Sequence, residues 1–320
     1  APVEMLETMA LYIAGIASSQ LNAKVTASCF MVCSQIIPNL TEESDGIQEI
    51  GSAILIFIKQ PSKSRRIWDS LGELLYSLLQ HRNPTNVSIL EQVLPALLTV
   101  TAAAPTPVRA LACFANLVDR EPEFFRKSPL IDDLLQQALE KAKLEMEDAF
   151  YVFSVLASKA QSRMSSHLEE IMHTIWNVLV SPKSQSPLLS QRCVGALSSI
   201  VLNSADSFNP IEPGMVPLIL SKMPAKVDPT ENLELYDLYL FMYKRFNKQP
   251  TSAFLGALIR LLCQDNELIG GVLMDSSTYQ ELLSIGKFFS KSSSFGQACR
   301  EITGNDQTMI NTLAKRLGIE

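Results

Sequence analysis

The segment APTPVRALACFANLVDR, residues 104–120, decides how the rest of the chain is interpreted. Two prolines lead into a helical pattern of small and apolar residues that ends in charge. Such a helix is common by itself, but a second copy at a fixed distance indicates a repeat protein. The copy lies 83 residues further on: Arg109, Ala112, Ala115 and Leu117 correspond to Arg192, Gly195, Ser198 and Ile200.

The same kind of helix recurs along the whole chain, in pairs separated by Pro, Asn and Ser. The first helices of the pairs begin near residues 2, 45, 88, 130, 165, 213 and 252, at intervals of 35–48 residues. This period is typical of HEAT and armadillo repeats, whose units contain two or three helices. Because one pair buries only part of its apolar surface, neighbouring pairs have to stack. We therefore predict an all-α fold, a right-handed α-solenoid (superhelix) of about seven helix pairs.

The repeated pattern also indicates how the helices would pack. Small residues three and six positions after the arginine allow neighbouring helices to approach closely, and the Leu or Ile that follows fills the groove between them. A compact helical bundle is the alternative, but seven serial pairs with short connections favour a solenoid. We predict one array over residues 1–320, without a separate domain boundary.

The two ends of this array differ in character. The first helix, MLETMALYIAGIA, is apolar around much of its circumference, whereas the last, MINTLAKRLGIE, is amphipathic. The ends of a solenoid need polar capping faces. The sequence is therefore expected to be a fragment of a longer solenoid.

Composition and charge narrow the range of partners. The chain is 47% apolar, with a net charge of -6 and a pI of about 5.3. A duplex-DNA binder usually shows a basic stripe, so we expect basic protein partners and no direct nucleic-acid binding. The longest strongly apolar run, SAILIFI at 52–58, is too short to span a bilayer. The six cysteines lack CxxC spacing and indicate buried thiols in the cytoplasm or nucleus.

The sequence offers no recognisable catalytic motif. Glycine-rich phosphate loops and nucleophile elbows are missing. His167 and His173 in HLEEIMH lie six positions apart, roughly 240° around a helix, so they cannot ligate one metal ion together. We expect a protein that is not an enzyme and that uses no metal or other cofactor.

The second helices of several pairs carry acidic residues and tyrosines on one polar stripe. Stacking is expected to bring these stripes onto one concave face, where their summed potential would attract a segment rich in Lys and Arg. The alternative interpretation is that they are solvated charges that keep the array soluble. The candidate cargo-binding residues are Asp69, Glu73, Tyr76, Glu147, Asp148, Tyr151, Glu231, Glu234 and Asp237.

Residues 189–250 read LSQRCVGALSSIVLNSADSFNPIEPGMVPLILSKMPAKVDPTENLELYDLYLFMYKRFNKQP, with Met223-Pro224 followed by Asp228 and Glu231. This stretch resembles the late repeats of the importin-β superfamily of nuclear transport receptors, the karyopherins. In that family an inner helix of small residues leads to a short helix ending in Leu/Met-Pro, and an acidic helix beginning near D-x-x-E follows. Met223-Pro224, Asp228 and Glu231 match this order. The stretch is most similar to the branch that imports ribosomal proteins and histones.

The resemblance implies a carboxy-terminal portion of a receptor that shuttles between cytoplasm and nucleus. Such receptors hold basic protein cargo on the concave face, and they bind Phe-Gly repeats of nucleoporins on the convex face and in grooves between repeats. The amino-terminal repeats that bind the small GTPase Ran in the full-length receptor are not recognisable in this sequence.

Two other functions remain open. The first is a HEAT scaffold of another kind, such as a phosphatase scaffold or a coat-adaptor arm. A regular Asp/Arg ladder through all repeats would favour the phosphatase scaffold, and only Arg109 and Arg192 hint at one. The second is an enzyme on a helical fold, which a cluster of titrating residues in a closed pocket would support.

Overall fold

The computed structural model describes residues 3–19, 22–41, 44–59, 64–103, 109–181, 186–204, 211–227, 232–246, 251–264, 276–304 and 306–319. Within these stretches every regular element is a helix, and no strand occurs. The helices pack in neighbouring pairs, which confirms the predicted all-α solenoid. The chain divides into two units, Ala1–Leu168 and Glu169–Glu320.

The first unit has ten α-helices among its described residues. They are α1 (Val3–Ser18), α2 (Ala23–Ile36), α3 (Asp45–Lys59), α4 (Arg65–Gln80), α5 (Pro84–Ala103), α6 (Ala110–Arg120), α7 (Pro122–Phe125), α8 (Leu130–Ala142), α9 (Glu147–Lys159) and α10 (Gln161–Met164). Two short 3-10 helices cover Ile37–Asn39 and Ser165–His167.

The long helices of this unit form two layers. In the first layer α1, α3, α5 and α8 pack one against the next, and in the second layer α2, α4, α6 and α9 do the same. Contacts of α1 with α2, α5 with α6, and α8 with α9 join the layers. The first helix of each predicted pair therefore lies in one layer and the second helix in the other, as stacked repeats require.

The second unit has a similar arrangement. The helices of this part of the chain are α11 (Leu168–Val180), α12 (Pro187–Asn203), α13 (Val216–Ser221), α14 (Asn232–Phe246), α15 (Ser252–Leu262), α16 (Ser277–Phe289), α17 (Ser293–Thr303) and α18 (Gln307–Leu317). Contacts link α13, α15 and α17 in one layer and α12, α14, α16 and α18 in the other, while contacts of α15 with α16 and of α17 with α18 connect the two layers.

Small side chains set the close approach of α1 and α3. The face of α1 that is buried consists of Ala10, Ala14 and Ala17, while the larger Met5 and Tyr12 stay exposed. A face of alanines lets the neighbouring helix axis come near. Apolar side chains of α1 therefore lie both on its buried face and on its exposed surface.

Gly46 in α3 lies against α1, and this contact gives a first testable prediction. A Cβ at Gly46 would lie 2.7 Å from the Cβ of Ala10, which is fixed to its own helix and cannot swing aside. Gly46→Ala is therefore expected to destabilise the first unit by about 1–3 kcal/mol. The matched change Gly15→Ala in α1, whose Cβ would meet nothing within 4 Å, should stabilise the helix by up to about 1 kcal/mol. Thermal melts followed by circular dichroism compare the two, and equal melting temperatures would contradict this packing.

Candidate functional site

Three candidate residues lie together on α4. Asp69, Glu73 and Tyr76 share one face of the helix because they are spaced four and three residues apart. Asp69 is exposed, while Glu73 and Tyr76 are half-buried. This face borders a groove of about 310 Å³ between α4 and α6, and Asn116 and Arg120 line its other side.

Arg120 of α6 reaches across to this face. Its Nη1 lies 2.6 Å from Oε1 of Glu73. The guanidinium carbon lies 3.4 Å from the ring centre of Tyr76, which is close stacking of a cation on an aromatic face. Glu73 and Tyr76 therefore already hold one guanidinium group, which belongs to the protein itself.

The next three candidates lie in the first two turns of α9, and two of them contact α6 or the residue before it. Glu147, Asp148 and Tyr151 are all half-buried. The Tyr151 hydroxyl donates a hydrogen bond of 2.6 Å to Oδ1 of Asn116, and Nη2 of Arg109 lies 3.6 Å from Oδ1 of Asp148. The candidates on α4 and α9 are thus connected through α6.

Several residues of this network were missed by sequence reasoning. They are Asn116, Asp119 and Arg120 on α6 and Lys159 on α9, whose Nζ lies 3.3 Å from Oδ1 of Asp119. Glu73 and Arg120 are 47 positions apart, and Asn116 and Tyr151 are 35 apart. Each separation is close to one repeat, so polar residues one repeat apart on second helices were the signal that could have revealed them.

The candidates of the second unit make contacts of a different kind. Glu231 lies outside the described residues. Glu234 on α14 accepts a hydrogen bond from the Ser199 hydroxyl of α12 through its Oε2. Oδ1 of Asp237 accepts one of 2.7 Å from the Thr278 hydroxyl of α16. Both carboxylates therefore connect neighbouring second-layer helices, and their part in cargo binding stays a prediction.

Metal-ion clusters and membrane-spanning helices are both missing from the part of the chain that the structure describes. No group of three or more His, Cys, Asp or Glu side chains in those stretches is arranged to hold a metal ion. None of the described helices combines the length and the apolar character needed to cross a membrane.

The cysteines give a second prediction, about reactivity. Burial raises the pKa of both Cys33 and Cys113 to about 12 from the ordinary 9.0, and the thiolate is the reactive form. Both thiols are expected to resist iodoacetamide at pH 8 in the folded protein and to react in urea, as mass spectrometry can measure. Rapid labelling of Cys113 without denaturant would contradict its burial.

The raised pKa values also affect the free energy of unfolding. The unfolded chain releases the two thiol protons above pH 9 and the folded chain does not, so the free energy of unfolding should fall between about pH 9 and 12.

No protein-family model matches the chain, and a search of curated proteins finds no match. The function therefore has to be inferred from the fold, the charge and the second-layer residues.

Proposed function

We propose that this chain is a segment of an importin-β-like nuclear transport receptor, a non-enzymatic binding protein that shuttles between cytoplasm and nucleus. It binds basic protein cargo on the face formed by its second-layer helices and Phe-Gly repeats of nucleoporins on its first layer. The stacked helix pairs, the net charge of -6 and the resemblance over residues 189–250 support this proposal. In a full-length receptor, Ran would bind through amino-terminal repeats.

The observation that carries the cargo site is the α4 face beside α6. Asp69 and Glu73 supply two carboxylates there, and Tyr76 supplies an aromatic ring next to them. A carboxylate and a ring together suit a long cationic side chain, because the charge meets the acid while the stem or guanidinium plane lies on the ring. Arg120 already adopts this arrangement.

The charges at this face are partly or largely exposed to solvent, which limits the strength of each contact. An exposed ion pair contributes about 0.2–1 kcal/mol. Useful affinity therefore needs several such contacts along the second layer, made by a cargo segment with several Lys or Arg residues. Binding of this kind weakens as salt screens the charges.

A groove of about 520 Å³ between α3 and α5 in the first layer suits a Phe-Gly segment. Its lining is uncharged, with the amides of Gln48 and Gln92 at the rim and the side chains of Leu55 and Ile89 as the apolar part. Amides can bond to an extended peptide backbone, while the side chains of Leu55 and Ile89 give a phenyl ring a small apolar contact. The two proposed partners therefore contact different layers of the first unit.

A HEAT scaffold of another kind is the second candidate function, and one observation favours it. Ion pairs run between successive second-layer helices, from Arg120 to Glu73 and from Arg109 to Asp148. Such pairs form the beginning of a ladder whose role is to join repeats. A protein with this role alone would bind neither of the two probes below.

Two labelled peptides test the proposal on the full chain, one rich in Lys and Arg and one containing Phe-Gly repeats, with a Gly/Ser peptide as the neutral control. We expect both probes to bind and the control not to bind. Ser52→Glu at the rim of the α3–α5 groove should weaken Phe-Gly binding and leave binding of the basic peptide in place. If neither probe binds better than the control, the proposal is wrong and the scaffold function is favoured.

A further inference from the structure

We infer that Arg120 occupies the place of a cargo arginine, so that the α4–α6 groove is a guanidinium site that the protein itself fills when cargo is absent. This inference rests on the proposed function and specifies the chemistry of its site. It predicts selectivity for Arg over Lys and a built-in competitor for cargo.

The selectivity follows from the geometry around Arg120. Its guanidinium stacks on the Tyr76 ring at 3.4 Å while Nη1 lies 2.6 Å from the Glu73 carboxylate. A planar, delocalised cation can make both contacts at once. A lysine ammonium, as a hydrated point charge, is less suited to stacking on a ring. The site therefore fits an arginine side chain better than a lysine.

The competition follows from the exposure of the groups involved. The side chains of Arg120 and Glu73 are 36% and 46% exposed, so Arg120 can leave without opening the core. Beside them, Asp69 is 60% exposed and pairs only loosely, at 3.5 Å, with Arg65 on its own helix. An incoming arginine would take the Glu73–Tyr76 position, and Asp69 would add to the local negative potential.

Removing the Arg120 side chain, which competes with cargo for the groove, tests the inference. The full chain and its Arg120→Ala variant are titrated with two fluorescent peptides, one of arginines spaced by Gly and Ser and its lysine counterpart. Arg120→Ala should tighten binding of the arginine peptide about 3- to 10-fold, the size expected when one exposed ion pair and one exposed cation–π contact no longer compete. The lysine peptide should gain less than about twofold.

Matched variants separate this effect from net charge and from folding. Arg126→Ala makes the same change in net charge, but Arg126 pairs with Glu123 instead, and it should change neither affinity appreciably. Adding Glu73→Gln to Arg120→Ala should cancel the gain. Arg120→Gln gives the same readout if the alanine variant fails to fold, which circular dichroism shows.

The outcomes distinguish failure of this inference from failure of the proposed function. If the wild type binds and Arg120→Ala binds no more tightly, the competition inference is overturned while the proposed function stands. Equal gains for the arginine and lysine peptides would overturn the guanidinium site, because net charge alone would explain them. If no form of the protein binds either peptide, both proposals fail.

Discussion

Phe57→Ala is expected to lower the opening free energy of α2, α3 and α4 by about 3–5 kcal/mol. Phe57 is 1% exposed and joins three helices through its ring. The centroid of its ring lies 5.7 Å from that of Phe30 on α2 and 5.2 Å from that of Trp68 on α4, both edge-on. Truncation leaves a cavity between the layers and removes two aromatic contacts, which each contribute beyond the buried area.

Native-state hydrogen exchange measures this effect, because it reports opening of individual helices in an array that need not unfold in one step. The matched control is Phe288→Ala. Phe288 is 74% exposed, so its loss should change local stability by less than about 0.5 kcal/mol. Similar exchange rates in the two variants would mean that the Phe30–Phe57–Trp68 cluster does not hold these layers together.

In the second unit, Arg260→Ala is expected to destabilise the packing of α13 on α15 by about 2–3 kcal/mol. Nε of Arg260 donates to the Met223 carbonyl at 2.9 Å, and Nη2 donates to the Leu220 carbonyl at 2.8 Å. Leu220 lies in the last turn of α13 and Met223 lies two residues beyond it, and the Leu220 carbonyl also accepts a backbone hydrogen bond of 3.3 Å from the Met223 N–H. Without the guanidinium, two acceptors at a largely buried position lose their charged donor.

The control for this prediction is Arg300→Ala, because Arg300 is an exposed arginine of α17. Arg300→Ala should change the stability of this packing by less than about 0.5 kcal/mol. Arg260→Lys should recover only part of the loss, since one ammonium cannot reproduce the planar fork that reaches both carbonyls. Full stability of Arg260→Lys, by hydrogen exchange of α13, would show that a positive charge is enough there.

The repeat period and the packing residues could be predicted from the sequence because they follow from the pattern of small and large apolar side chains. Ala115 of the first copy and Ser198 of the second are both fully buried, as the aligned segments require. Three of the predicted starts, near residues 88, 165 and 213, are displaced by three or four residues, to 84, 168 and 216. The largest shift is that of α5, which begins at Pro84 because proline is tolerated at the first helical position. The helix also continues through Pro95.

The candidate site was only partly predictable, for a physical reason. The spacing of charged and aromatic residues in the sequence shows which of them share a helix face, as Asp69, Glu73 and Tyr76 do on α4. It does not show which side chain of the neighbouring repeat meets them, since that depends on how the two helices are shifted along their axes. Arg120 could not be assigned to Glu73, nor Thr278 to Asp237, until the packing of α6 on α4 and of α16 on α14 was known.

The proposal that the second-layer acidic face binds basic cargo is tested most directly by one titration. A Lys/Arg-rich peptide is titrated at low and high ionic strength into three forms of the full chain. These are the wild type, the double variant Asp69→Ala/Glu73→Ala and the double variant Glu49→Ala/Glu91→Ala. Glu49 and Glu91 are exposed on the first-layer helices α3 and α5, so the control makes the same change in charge on the other layer.

We expect wild-type affinity to fall steeply with salt. At low salt the Asp69/Glu73 variant should bind about 2- to 10-fold more weakly, the effect of losing two exposed charge contacts, while the first-layer control stays near the wild type. Equal affinity of the wild type and both variants, together with a flat salt dependence, would contradict cargo binding at this face.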